Sequence, residues 1–250
     1  MKIEVSATKT EMGRLAAKAG ASEIRAELKS NGSASVIVAT GASQFEMLAA
    51  LAKERNIDWC KVTIFHLDEY VGMSEAHPAS FRRYLRQRFV SKLPVPPHTF
   101  HAIDAEKDPE GECMRLNWKF AEISICVAFV GIGENAHLAF NDPPADFVTN
   151  RPYIVVDLDE GCRRQQLGEG WFPTLEYVPK QAISMSIKRI MKSRSIICTV
   201  PDLRKASAVK SAVEGVVTPQ CPASILQNHA KTTLYLDLDS SSLLGNNVSA

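Results

Sequence analysis

Apolar, β-branched runs recur at residues 35–39 (SVIVA), 62–67 (VTIFHL), 123–130 (ISICVAFV), 154–158 (IVVDL), 195–200 (SIICTV) and 232–238 (TTLYLDL). Each has the length of a buried strand, and most are separated by stretches long enough for a helix. In residues 44–55 (QFEMLAALAKER) the apolar side chains Phe45, Leu48, Ala49, Leu51 and Ala52 fall on one helical face. Residues 80–90 and 203–214 repeat that spacing, so helices are predicted after three of the runs. Such alternation is the signature of an α/β fold, a parallel sheet covered by helices. Two stretches break the rhythm: 91–100, with Pro94, Pro96 and Pro97, and 141–179, rich in Pro, Gly, Asp and Arg. The second is long for a connection and predicts a lid or binding loop within 141–180. Without internal repeats, residues 1–250 read as one domain whose Ser/Asn-rich tail, from Ser240, is expected to fray.

Composition narrows the function. At 45% hydrophobic, 23% charged and 7% aromatic the chain is an average globular one, which excludes collagen-like, disordered and disulfide-scaffold classes. Lys+Arg 29 against Asp+Glu 28 leaves a charge of +1, with no basic excess for a nucleic acid or an anionic membrane. Cys60, Cys113, Cys126, Cys162, Cys198 and Cys221 are scattered, with no CxxC pair or zinc-site spacing, as expected in a reducing compartment. No run approaches the ~18 apolar residues of a membrane helix. The expectation is a cytoplasmic protein with no nucleic-acid and no membrane partner.

In open parallel sheets ligands bind beyond the carboxyl ends of the strands, so the chemistry is sought just after each apolar run. After 35–39 come Thr40, Gly41, Ala42 and Ser43, small residues leading into a predicted helix. Such a turn can cradle an anion on free N–H groups, or be an ordinary strand-to-helix turn with Ser43 as cap. Asp68 and Glu69 follow the second run. A partly buried carboxylate there can serve as a general base, while a solvated acidic turn is the plainer alternative. After 123–130 come Gly131, Gly133, Glu134, Asn135 and His137, then Asn141 and Asp142. The glycines let backbone approach a ligand, and His137 stands between carboxylates that can orient it, unless it only packs or caps. After 195–200 comes Lys205, in a first helical turn where a cation is unfavourable without a bound anion, unless solvent faces it. Cradle, carboxylate, histidine and lysine at neighbouring strand ends together describe a small sugar-phosphate site. His66, His77, His101 and His229 show no metal-like spacing, and no metal is expected.

These blocks resemble the glucosamine-6-phosphate deaminase/isomerase family, which is related to the 6-phosphogluconolactonases. The likeness rests on residues 67–72 (LDEYVG) with 77–81 (HPASF), on 131–143 (GIGENAHLAFNDP), on Lys205, and on 212–215 (AVEG) and 224–229 (SILQNH), in family order over nearly the whole chain. The resemblance implies a modified Rossmann-like, three-layer α/β fold with a mostly parallel central sheet. It also implies a cofactor-free isomerase/deaminase, a hydrolase acting on an amino sugar phosphate, that converts glucosamine 6-phosphate to fructose 6-phosphate and ammonia. Asp68 is then the acid/base between the first two sugar carbons, and His137 opens the ring with Asn135 and Asp142 beside it. Thr40, Gly41, Ala42, Ser43, Gly133 and Lys205 hold substrate and phosphate, joined by Arg164 or its neighbour Arg163. This chain departs from the family in having Asn135 where Asp is usual and Asp142 where Glu is usual. Basic residues of an allosteric site found in some bacterial members are missing around Pro152 and Ile154. A related phosphosugar isomerase or lactonase, and a non-catalytic sugar-phosphate sensor, are the alternatives. The implied partner is a small-molecule sugar phosphate, and assembly into a homo-oligomer stays open.

Overall fold

Strands alternate with helices along the chain as the pattern predicts, in a computed structural model that describes residues 1–120 and 122–245. The strands are β1 (Lys2–Ser6), β2 (Ala34–Val38), β3 (Val62–His66), β4 (Asp68–Tyr70), β5 (Thr99–His101), β6 (Val127–Val130), β7 (Tyr153–Asp157), β8 (Gln181–Met185), β9 (Ser195–Val200) and β10 (Thr232–Asp237). The helices are α1 (Lys9–Asn31), α2 (Phe45–Leu51), α3 (Phe81–Arg88), α4 (Pro109–Lys119), α5 (Glu160–Gly168), α6 (Ile187–Ile190) and α7 (Ala206–Glu214). Seven strands form a parallel sheet in the order β1-β10-β9-β6-β2-β3-β5, with helices on both faces. Its central strands are buried on both sides, which is why they read as continuous apolar runs.

One face packs Met12, Ala16, Ala17, Ala21 and Ile24 of α1 and Met47, Leu48 and Leu51 of α2 on Val36, Val38, Ile64 and Phe129. The other buries Cys113 and Leu116 of α4 and Ala208, Val209 and Ala212 of α7 on Ile37, Phe65, Ala128, Val130 and Cys198. Helix α1, the longest, was not visible as an apolar stripe because its inner face is largely Ala and Gly. Small residues let it press close on the sheet: a Cβ at Gly20 would stand 2.2 Å from the Phe129 ring.

The run at 154–158 departs from expectation. It forms β7, but in a separate antiparallel sheet of order β4-β8-β7. Its side chains are mostly half-exposed, so it lacks the two-sided burial of a central parallel strand. The chain crosses between the sheets at Leu67, whose N–H bonds Val38 O (3.2 Å) and whose carbonyl accepts from Met185 N–H (2.7 Å). The 141–179 stretch is less irregular than predicted, because it contains β7 and α5. Ser240 does not fray: it is buried and donates its N–H to Asp237 Oδ1 at 2.8 Å. Residues 246–250 of that tail lie outside the described residues. Among the described residues no helix is long and apolar enough to cross a membrane.

Candidate active site

The adjacent strands β9, β6, β2 and β3 end at one cleft, at the switch point between β2 and β6 from which successive strands are added in opposite directions across the sheet. Its walls carry Thr40, Gly41, Ala42 and Ser43 after β2, Asp68 after β3, Gly131, Gly133 and His137 after β6, and Asp202, Arg204 and Lys205 after β9. Helix α5 and its end add Gln165, Gln166 and Glu169.

Asp68 is 6% exposed, and burial, reinforced by the neighbouring charge of Glu69, pushes its pKa up to about 8. Glu69 points the other way and binds the start of α3. Its carboxylate accepts from Ser80 Oγ (2.9 Å) and from the N–H groups of Tyr70 (3.0 Å), Phe81 (3.1 Å) and Arg82 (2.9 Å). Burial raises the Glu69 pKa although these four donors pull it down. The two adjacent carboxylates are therefore unlike: one anchors a helix and the other faces the cleft.

His137 lies across Gly133, where a Cβ would come within 2.3 Å of its ring, so Gly133 makes room for the imidazole. Nδ1 of His137 stands 3.2 Å from Asp142 Oδ1. Asn135 donates through Nδ2 to Asp142 Oδ1 (3.0 Å) and Asp159 Oδ2 (3.1 Å), and its Oδ1 accepts from His137 N–H (3.2 Å). Asp142 Oδ2 accepts from Asp159 N–H at 3.0 Å, which ties the start of α5 to the His137 pair. Burial alone would raise the Asp142 pKa, but His137, Asn135 and the Asp159 N–H together hold it below the usual range. Asn135 and Asp142 thus sit behind His137 rather than on the cleft wall.

At the opposite end Gly41, with φ 90° and ψ 169°, takes a conformation reserved for glycine, and the chain turns from β2 into the helical turn Ala42–Gln44. Gln44 is fully buried and went unnoticed in the sequence. Its Nε2 donates to Ser43 Oγ (3.1 Å) and more weakly to Val130 O and Thr199 O (both 3.4 Å), while Oε1 accepts from Thr199 Oγ1 (3.1 Å). It stitches the ends of β6 and β9 to the cradle. Lys205 is buried without an ion pair among the described residues, and burial lowers its pKa to about 8 against the pull of Glu134 and Glu169. Glu169 is the second residue that pattern reading missed. It faces Gly41, and burial raises its pKa although Gln165, Lys205 and Arg204 oppose this.

Neither of the two expected arginines lines the cleft. Arg164 is exposed and paired with Glu160 on the outer face of α5, and Arg163 donates to the carbonyls of Leu175 and Val178. Residues 163 and 164 project from the helix away from the wall that Gln165 and Gln166 form. The arginine in the cleft is Arg204, 3.2 Å from Glu134. Among the described residues one group has metal-ligand chemistry: His137, Asp142 and Cys162 lie within 4.8 Å of one another. Burial first, and Asp142 and Asp159 next, push the Cys162 thiol well above its ordinary pKa.

Buried acid, histidine beside a carboxylate and buried lysine in one cleft suit proton transfer on a small anion. A glucosamine-6-phosphate deaminase of Oenococcus oeni is 35% identical over 207 residues, 83% of this chain and 85% of that protein. One from Lactobacillus delbrueckii subsp. bulgaricus is 32% identical over 98% of this chain and 100% of its own. The solved structure of a monomeric glucosamine-6-phosphate deaminase of the NagB superfamily matches with a TM-score of 0.89 at 29% identity, covering 98% of this chain and 100% of that chain. The 6-phosphogluconolactonase of Trypanosoma brucei shares the fold, with a TM-score of 0.78 at 17% identity and 98% of each chain covered. The family described as glucosamine-6-phosphate isomerases/6-phosphogluconolactonase matches residues 7–235, and the chain belongs to it.

Proposed function

We propose that the protein is a glucosamine-6-phosphate deaminase acting on the open-chain sugar phosphate. The observation that carries this reading is Asp68, a buried carboxyl whose pKa of about 8 makes its anion a strong base, in a cleft that also holds His137 and Lys205. His137, backed by Asp142, exchanges the protons that open the pyranose to a C1 aldehyde. Asp68 takes the proton from C2, which bears the amine, and returns it to C1 through an enolamine. That leaves an iminium at C2. Water adds there, ammonia departs, and the ketose phosphate remains, so the net change is hydrolysis of a carbon–nitrogen bond. Every step is a proton transfer, an addition or an elimination that these residues support without a cofactor.

The phosphate is assigned to Thr40, Gly41, Ala42, Ser43 and Lys205, with Gly133 against the sugar. The segment from Asp159 to Pro179 is read as the cover of a single domain, since it hangs on Asp142 at one end and lines the cleft with Gln165, Gln166 and Glu169. All six cysteines are free, which suits a reducing cytoplasm.

The test is a coupled ammonia-release assay with glucosamine 6-phosphate, other amino-sugar phosphates and 6-phosphogluconolactone. Ammonia from glucosamine 6-phosphate and no lactone hydrolysis is the expected result. Lactone hydrolysis alone would place the protein with the lactonases, and binding without turnover would make it a sensor.

A further inference from the structure

Asp202, on the cleft wall, has φ 77° and ψ 142°. That backbone region is essentially glycine's, and a residue with a Cβ stays there only when its surroundings hold it. The holder is on the neighbouring strand. Asp202 N–H donates to both carboxylate oxygens of Asp237, at 3.3 Å to Oδ1 and 3.0 Å to Oδ2. Asp237, at the end of β10, is 6% exposed and is itself clamped: Oδ1 accepts from Ser240 N–H at 2.8 Å, and its own N–H donates to Ser240 Oγ at 3.2 Å. Downstream, Lys205 N–H donates to Asp202 O at 3.0 Å and closes the helical turn Leu203–Lys205. The Asp202 side chain is partly exposed and takes no part in the contact with Asp237, its Oδ1 lying 3.8 Å from Lys9 Nζ. The link between Asp237 and the cleft therefore runs through backbone.

We infer that Asp237 is a positioning residue for the anion-binding end of the cleft: by holding the Asp202 N–H it imposes the bent backbone that turns Lys205 inward. This rests on the sugar-phosphate reading and adds to it a residue outside the cleft. The carboxylate needs no contact with substrate. Its contribution is conformational, so it should appear in affinity for the phosphorylated ligand and not in the proton transfers.

The experiment compares Asp237→Ala and Asp237→Asn in the full-length protein, each also combined with Asp202→Gly. The readouts are kcat, KM for glucosamine 6-phosphate and the inhibition constant of inorganic phosphate. Asp237→Ala should raise KM and the phosphate constant about 10-fold, equivalent to ~1.4 kcal/mol, with kcat lowered less than about 3-fold. Asp237→Asn keeps one acceptor oxygen and should fall between. In the Asp202→Gly background glycine adopts the bend unaided, and Asp237→Ala should then change KM less than about 2-fold. A folding defect reduces the amount of active enzyme and appears in kcat, not in KM. An unchanged KM in Asp237→Ala, or an equal rise in both backgrounds, would overturn the inference. A wild-type protein indifferent to phosphate would instead remove the sugar-phosphate reading, and the role of Asp237 with it.

Discussion

Asp68 and Asp142 are both buried carboxyls beside one cleft, yet their surroundings drive them in opposite directions. Burial, reinforced by the carboxylate of Glu69 next in sequence, sets Asp68, which holds its proton up to about pH 8. Asp142 has His137, Asn135 and the Asp159 N–H around it, which outweigh burial and keep it ionised. The difference separates a group poised to gain and lose a proton from one that stays charged to hold a histidine. Burial alone distinguishes nothing here; the donors around each carboxyl do.

The largest expected effect breaks the Asp68 side. Asp68→Asn should lower kcat by about 100-fold or more, the scale of losing general-base catalysis, while phosphate binding persists. The same variant should be more stable than wild type. The pKa of about 8 lies above the ordinary 3.8, so the folded protein keeps a proton that the unfolded chain releases. Wild-type stability thus falls as pH rises between those values, and the Tm advantage of Asp68→Asn should grow over that window. A Tm difference flat with pH would refute the assigned burial.

Asp142→Asn should cut kcat about 10–100-fold, part of the scale of acid–base catalysis, because His137 loses the carboxylate beside it. Steady-state kinetics should show KM little changed, and a loss confined to KM would move Asp142 out of the acid/base pair.

Lys205→Ala should weaken phosphorylated ligands by about 1.5–3 kcal/mol and leave unphosphorylated sugars nearly unaffected. Because its pKa is lowered to about 8, wild-type affinity for phosphate should fall as pH rises through that value, and the variant should lose this dependence. Isothermal titration across pH checks both.

The smallest effect belongs to Glu169, a carboxyl facing the cradle. Glu169→Gln should tighten inorganic phosphate by about 2–5-fold at high pH, within the range of an exposed charge pair, and by less at low pH, where the raised pKa already keeps wild type neutral. Weaker binding in the variant would make Glu169 a ligand-holding group.

The placement of Asp68, His137 and Lys205 on one cleft was legible in the sequence because they follow short apolar runs. Asp68, His137 and Lys205 each lie within a few residues of a strand end, and parallel strands bring such ends together. Which residues of α5 face the cleft was not legible, because adjacent helical residues differ by about 100° in direction, and Gln165 and Gln166 form the wall where Arg163 and Arg164 do not. Gln44 and Glu169 gave no local signal: an amide and a glutamate on helical turns look solvated until the sheet and α5 enclose them.

The sequence by itself determined the alternation of buried strand and helix, the order of the strand-end motifs and the family, all of which depend on neighbouring residues. The second sheet, the burial that separates Asp68 from Asp142, and the grip of Asp237 on Asp202 were decided only by tertiary structure. Asp237 and Asp202 are 35 residues apart, and hydrogen bonds over such separations follow from strand order, which no local pattern encodes.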